Sequence, residues 1–197
     1  MKVLVACEYS GTVRDAFRER GHDAMSCDIL PTDRPGPYYQ GPVEDLLSEP
    51  FDLVVAHPPC TYLSNAGVQY LKDPERWSKM LEGASFFWLM SQFNSPRIAI
   101  ENPVQHRHAK EAHGLGNQTQ IIHPWQHGHP ETKPTCLWLF GLPKLNPTDD
   151  VRWLMELVPD NRRRRLSYLP PSKDRWKIRS TTYKGIAEAM AEQWGAL

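Results

Sequence analysis

The sequence predicts an α/β fold built on a mainly parallel sheet. Two observations carry that expectation. Short apolar runs alternate with helical patterns through residue 103, the rhythm of strand–helix–strand units joined by right-handed crossovers. Reactive and polar residues gather where the apolar runs stop: CEYSG, CDI, HPPC and ENP each follow a strand pattern. Ligands of open α/β sheets sit outside the carboxyl ends of the strands, so these segments are expected on one functional edge.

Each element has its own signal. KVLVA (2–6) is a short apolar run that reads as a buried parallel strand. TVRDAFRER (12–20) has helical character and stops at Gly21. HDAMSCDIL forms a second strand with Asp28 toward its C-terminal end, VEDLLSE a short helix, and FDLVVA (51–56) a third strand. Residues 73–94 read as a long amphipathic helix whose apolar face comes from MLEGASFFWLM. RIAIENP (97–103) is a fourth strand, and TCLWLFGLP (135–143) a later one closed by Gly and Pro. TYKGIAEAMAEQWGAL reads as a helix that starts near Gly185. Residues 104–134, rich in His, Gln, Gly and Pro, are expected to be long loops, and 144–180 hold the basic stretches DNRRRR and PPSKDRWKIRS.

Composition narrows the class without naming a partner. A chain of 197 residues is long enough for one sizeable core. Lys and Arg together number 23, as do Asp and Glu, so net charge points to neither nucleic acid nor membrane. No apolar run reaches membrane-spanning length, and MKVLVACEYSG is too poor in apolar residues for a signal peptide. Cys7, Cys27, Cys60 and Cys136 include no CxxC pair and read as free thiols in a reducing compartment. The histidines of HRHAKEAH and HPWQHGHPE invite a zinc reading, but nothing in their spacing makes ligands converge with outer-shell support, so no metal is assigned.

Cys60 and Glu101 are the candidate reactive pair. A free cysteine is ordinarily a small buried hydrophobe. Pro58 and Pro59, however, stiffen the backbone before Cys60 and remove two amide donors, a costly way merely to end a strand. At a strand edge near a helix start the thiol pKa is expected to fall, which suits a nucleophile. Glu101 ends the apolar run of AIEN, where desolvation would raise its carboxyl toward general-acid use; the alternative is a glutamate that caps loop amides.

These segments carry a family resemblance. PPCTYLSNAG resembles the nucleophile loop of DNA (cytosine-5) methyltransferases, Pro-Cys-Gln-x-Phe-Ser-x-Ala-Gly. Pro59, Cys60, Ser64, Ala66 and Gly67 match in register, with Leu63 in place of Phe. IENP is similar to that family's Glu-Asn-Val segment, and TYKGIAEAMAEQWG to the C-terminal segment that completes its cofactor pocket. The chain looks like the small, phage-borne branch, over roughly residues 1–140 and 180–197. The resemblance implies a Rossmann-like S-adenosylmethionine-dependent methyltransferase fold. Residues 1–140 and 181–197 would form the catalytic domain, and 141–180 a small, irregular DNA-recognition region. It further implies a cytoplasmic enzyme of a prokaryotic cell or phage-infected host, with no membrane partner. A homodimer or protein partner would supplement the small recognition region.

The implied roles follow residue by residue. Cys60 thiolate would add to cytosine C6, Glu101 would hydrogen-bond at N3, and Asn102 would position loop and base. The base would be flipped out of a duplex or already single-stranded. S-adenosylmethionine would meet Glu8, Tyr9, Ser10, Gly11, Asp28, Ile29, Asp45, Pro58 and Gly185. Glu8 would face the methionine ammonium or act as a local cap, and Asp28 would take the ribose hydroxyls. Asp45 would compensate for Pro42, which replaces the Asp expected at adenine. Pro59, Thr61, Ser64, Lys133 and Thr135 would meet the base and DNA, Thr61 replacing the usual Gln and Lys133 and Thr135 replacing two arginines. Arg162, Arg163, Arg164 and Arg165, flanked by Trp153, Tyr168 and Trp176, would track phosphates. Three alternatives stay open: an amino-group methyltransferase, since HPPC shares two prolines with the Asp/Asn-Pro-Pro-aromatic loop; a free-nucleotide variant; and a non-catalytic homologue.

Overall fold

A computed structural model describes all residues, 1–197. The chain runs β1 (Lys2–Ala6), α1 (Thr12–Glu19), β2 (Asp23–Asp28), β3 (Tyr38–Gln40), β4 (Leu53–Ala56), α2 (Pro74–Leu89) and β5 (Ile98–Pro103). There follow α3 (Arg107–His113), β6 (Gln120–Ile122), β7 (Thr135–Phe140), four short helices, α4 (Arg152–Leu157), α5 (Asp160–Arg163), α6 (Arg165–Tyr168) and α7 (Arg175–Ser180), and the terminal α8 (Lys184–Gly195). The seven strands form one Rossmann-like sheet in the order β3-β2-β1-β4-β5-β7-β6. The first five in that order pair in parallel, and β7 pairs antiparallel with both neighbours. No helix is long and apolar enough to cross a membrane.

Strand alternation divides the core into two layers. Leu4, Ala6, Val54 and Ala56 pack with Met80, Ala84 and Phe87 of α2. Val3, Val5, Leu53 and Val55 pack with Phe17 of α1 and Ile186, Met190 and Trp194 of α8. Because the chain leaves β1 toward β2 and later re-enters beside β1 at β4, the β1 and β4 ends flank the switch point of the sheet, the place where open α/β sheets bind ligands.

The structure differs from the sequence expectation at two places. The long helix closes at Leu89 and continues as a short 3-10 turn, Met90–Gln92. The stretch 104–134 is not simply loop: it contains α3 and β6. His106 supplies the α3 cap, its own Nδ1 accepting the Ala109 amide at 3.0 Å, a job usually done by Ser, Thr, Asp or Asn.

Gly185 is needed for close packing. A Cβ there would lie 1.9 Å from the His127 carbonyl oxygen, and the Gly185 amide donates to His129 Nε2 at 3.1 Å. This contact accounts for a glycine at the position without a cofactor. Gly185→Ala is expected to destabilise the fold by about 1–3 kcal/mol, read as a lower urea midpoint at unchanged slope.

Candidate active site

Pairing of β4 with β5 sets Ala56 opposite Ile100, so His57, just past the end of β4, lies beside Glu101, which β5 still pairs with Leu137 of β7. His57 Nδ1 donates to Glu101 Oε2 at 3.2 Å, with side-chain exposures of 10% and 16%. Beyond them Pro58 is buried, Pro59 exposed and Cys60 half-buried. The Leu63 and Ser64 amides both donate to the Cys60 carbonyl, at 3.1 and 3.0 Å, turning the chain tightly. Leu63, fully buried, pins that turn to the core. Ser64 Oγ accepts the Ala66 amide and starts a 3-10 turn. Thr61 is exposed, and its carbonyl accepts from the Arg76 guanidinium at 3.4 Å.

A one-way chain of hydrogen bonds holds the loop from beneath. Asn102 Nδ2 donates to the Pro58 carbonyl at 2.9 Å. Gln105 Nε2 donates to Asn102 Oδ1 at 3.2 Å, and His113 Nε2 to Gln105 Oε1 at 2.9 Å. The Leu115 amide donates to His113 Nδ1 at 3.0 Å. Each of the three side chains is buried and uses one donor and one acceptor, which fixes His113 as the neutral Nε2–H tautomer.

The antiparallel direction of β7 brings its start to the same edge. Thr135 stands opposite Pro103, and its Oγ1 donates to the Lys133 carbonyl at 3.2 Å. Thr135 is buried and therefore supports Lys133 rather than reaching a base itself. Lys133 Nζ donates to the Arg179 carbonyl at 3.0 Å, and its charge is felt by both Cys60 and Glu101.

Two electrostatic expectations are overturned. Burial does push the Glu101 carboxyl upward, but the His57 hydrogen bond and the Lys133 charge outweigh it, and the net direction is down. Glu101 is thus ionised in the free protein rather than poised as an acid. Cys60 moves the opposite way: burial raises its thiol, the Glu101 carboxylate raises it further, and Lys133 and Arg179 only partly offset this. The element that follows is a 3-10 turn, not an α-helix whose dipole would stabilise a thiolate.

At the β1 end, the turn that follows the strand faces inward. Glu8 Oε1 accepts the Val13 amide at 2.7 Å and Oε2 the Arg14 amide at 3.2 Å. It is the cap of α1, not a partner for an ammonium group, and is only 4% exposed. Ser10 Oγ donates to Glu8, and Gly11 takes φ +69° at the α1 start. Tyr9 is buried, its hydroxyl engaged by Ser180 at 2.9 Å and its ring 5.4 Å from that of Trp176. Cys7 adopts φ +58°, an uncommon conformation for a non-glycine residue. At the β2 end Asp28 Oδ1 accepts the Leu30 amide at 3.0 Å, and burial raises its carboxyl. Ile29 beside it is 71% exposed. Asp45 is exposed and receives the Tyr39 hydroxyl.

The arginine run is largely paired within its own region. Arg163 and Arg164 bind Asp160, and Arg165 binds Glu131; Arg162 is exposed. The histidines do not gather either: no group of three or more His, Cys, Asp or Glu comes together to hold a metal.

No protein-family model matches the sequence, nor does any curated protein. Solved structures of similar shape include a protein described as a DNA modification methyltransferase encoded within an E. coli prophage. It is 17% identical over 80% of this chain and 55% of its own, at a TM-score of 0.49. A methyltransferase of Entamoeba histolytica is 16% identical over 75% of this chain and 57% of its own, at 0.46. Dnmt2 methyltransferase of S. pombe is 17% identical over 98% of this chain and 65% of its own, at 0.40. The chain spans only about half the length of the first two. Likeness of this degree concerns the course of the backbone and not the chemistry.

Sequence reasoning missed His57, Gln105 and His113. A signal was present for His57, which follows the β4 run at the position where β5 carries Glu101; Gln105 and His113 need the fold of α3 to become visible.

His113 makes the loop support sensitive to acid. Burial lowers its pKa from 6.5 to about 4, and a proton on Nδ1 would face the Leu115 amide. A histidine with a depressed folded pKa loses stability as the unfolded chain takes up protons. Stability is therefore expected to decline from about pH 6.5 to about pH 4, by up to about 3 kcal/mol. Chemical denaturation across that window, compared with His113→Gln, checks the assignment: the variant should show a shallower slope.

Proposed function

We propose that this chain is an S-adenosylmethionine-dependent methyltransferase acting on C5 of cytosine in DNA through a covalent bond between Cys60 and C6. The observation that carries the reading is the convergence of Cys60 and Glu101 on adjacent strand ends, with Asn102 holding the Pro58 carbonyl between them. That arrangement suits addition of a thiolate to C6 while a carboxyl holds a proton at N3, the two acts that make C5 nucleophilic.

The residues at the strand ends fit the cofactor in part. Asp28 stands half-buried at the β2 end with the Leu30 amide on Oδ1, a carboxylate placed as ribose hydroxyls require. The exposed Ile29 offers an apolar surface to adenine. Pro58, buried under the loop, would wall the pocket, while the backbone around Tyr9 and Gly11 would line it. When bound, the cofactor supplies an electrophilic sulfonium methyl group.

Substrate entry would change the proton affinities of the pair. A base laid over Glu101 excludes water from a carboxyl that is already largely buried, which favours its protonated form and opposes the effect of His57 and Lys133. Lys133 and Arg179 favour the Cys60 thiolate. Thr61, Ser64 and Pro59 lie along the loop where the flipped or single-stranded base would rest. Arg162 and the exposed Trp153 and Tyr168 of the 141–180 region would meet the DNA backbone and bases. Surface ion pairs are worth only about 0–1 kcal/mol, so Arg163–Arg165 can exchange their carboxylates for phosphates at small cost. So small a recognition surface suits relaxed target choice or a second subunit.

Incubation with 5-fluorodeoxycytidine-containing DNA and S-adenosylmethionine is expected to trap a covalent adduct through Cys60. DNA from cells expressing wild type should contain 5-methylcytosine by nucleoside mass spectrometry, and Cys60→Ala should abolish it. N4-methylcytosine or N6-methyladenine instead would assign the chain to the amino-group enzymes.

A further inference from the structure

We propose that His57 is a positioning residue for Glu101, holding the carboxylate by one oxygen so that the other is presented to the substrate base. The proposal deepens the reading of the site as a cytosine-C5 methyltransferase and rests on it. Its geometric basis is an asymmetry within the pair. Glu101 Oε2 is taken by His57 Nδ1 at 3.2 Å. Glu101 Oε1 has no protein hydrogen-bond partner, yet it is not among the sealed, unpartnered atoms of the interior. It therefore keeps some access to solvent, in a carboxylate whose charge Cys60 feels.

The far side of the imidazole is the opposite case. His57 Nε2 is buried without a hydrogen-bond partner, and nine-tenths of the side chain is out of solvent. Were the ring there only to fill space, a phenyl group would do so without a stranded nitrogen, and burying such an atom is unfavourable. With no acceptor facing Nε2, the surroundings suit the tautomer that carries its proton on Nδ1, the one that donates to Glu101. The other groups that bear on the pair are Lys133 ahead of β7, Cys60 in the loop and Cys136 on β7; Arg179 of α7 reaches Cys60.

The step balances within the site. With the base in place, the proton given up by the Cys60 thiol resides on Glu101 Oε1; as the Cys60 Sγ–C6 bond then forms, the C5=C6 electron pair moves between C5 and C4. The C4=N3 pair moves onto N3, which takes the proton from Glu101 Oε1. The carboxylate left behind keeps the Nδ1–H hydrogen bond, now charge-assisted and stronger. Once C5 carries the transferred methyl group, its proton is lost to solvent water, the pair re-forms C5=C6 and expels Cys60, and the N3 proton returns to Oε1. His57 itself gains and loses nothing; it fixes which oxygen acts and stabilises the charge on the other.

Two variants separate positioning from packing: His57→Phe removes both nitrogens at similar volume, and His57→Asn keeps a donor near the Nδ1 position. The first readout is the rate of adduct formation on 5-fluorodeoxycytidine DNA across pH. His57→Phe should slow it about 10-fold or more and move the Glu101 limb of the profile upward. His57→Asn should restore most of both, and in a Glu101→Gln background His57→Phe should add no further loss. The second readout needs no substrate: carbon-13 NMR titration of the Glu101 carboxyl, assigned with Glu101→Gln. Its midpoint should rise in His57→Phe and return in His57→Asn. An unmoved midpoint, or His57→Asn behaving as His57→Phe does in both readouts, overturns the proposal. If wild type forms no adduct, the methyltransferase reading fails, while the NMR titration still decides whether His57 governs Glu101.

Discussion

The hydrogen bond from Asn102 to the Pro58 carbonyl is the contact on which the candidate site depends. Pro58 and Pro59 deprive the loop of two amide donors, so the loop has few backbone bonds with which to hold itself. The Pro58 carbonyl, buried with its residue, still needs a donor, and Asn102 provides it at 2.9 Å. Asn102 is in turn oriented by Gln105, and Gln105 by His113. A loop without its own ladder is thereby registered against β5 and α3. Loss of any link would leave a buried polar group unpaired, which is why the whole chain resists change more than each bond alone would.

Within that frame the charges oppose the state that reaction needs. Glu101 is held ionised by His57 and Lys133, and its charge helps keep the Cys60 thiol protonated. The same Lys133 acts on both groups, lowering both pKa values. Such a pair is quiet until something alters the local dielectric. A planar base that covers Glu101 does so, because excluding water acts most strongly on the group already nearest to burial. The free protein thus protects its thiol, and the substrate would help to create the conditions for its own attack.

Strand ends were legible in the sequence because apolar runs and their punctuation are local. The runs 2–6, 51–56 and 97–103 become β1, β4 and β5, and the four reactive segments do fall on one edge. What was illegible depends on pairing at a distance. Glu101 at the end of an apolar strand predicts a raised carboxyl only if nothing opposes burial; His57 and Lys133 arrive through sheet register and an antiparallel return. Glu8 was open to facing a ligand or capping locally, and the amides of Val13 and Arg14, five and six residues on, claim it. Gly185 looked like a ligand-binding glycine, whereas the carbonyl that excludes a side chain belongs to His127, far away in sequence. The four consecutive arginines suggested an open cationic track, and the carboxylates of Asp160 and Glu131 divide it. Helix α3 was hidden by composition, since its cap is a histidine and its sequence is rich in residues that also favour loops.

Helix α7 ties the two halves of the edge together. Its Lys177 and Ser180 engage the Tyr9 hydroxyl on the β1 turn, and Lys177 pairs with Asp33 at 3.0 Å. The carbonyl of Arg179 on the same helix receives Lys133 Nζ. One short helix in the basic region therefore contacts the turn beside the proposed cofactor crevice and also the cation that sets Glu101 and Cys60. Moving α7 away from the sheet breaks both sets of contacts at once. It also frees Lys133 from the Arg179 carbonyl, its side-chain hydrogen-bond partner. Through α7 the 141–180 region therefore touches both the β1 turn and the lysine whose charge bears on Glu101 and Cys60, without a long relay of side chains.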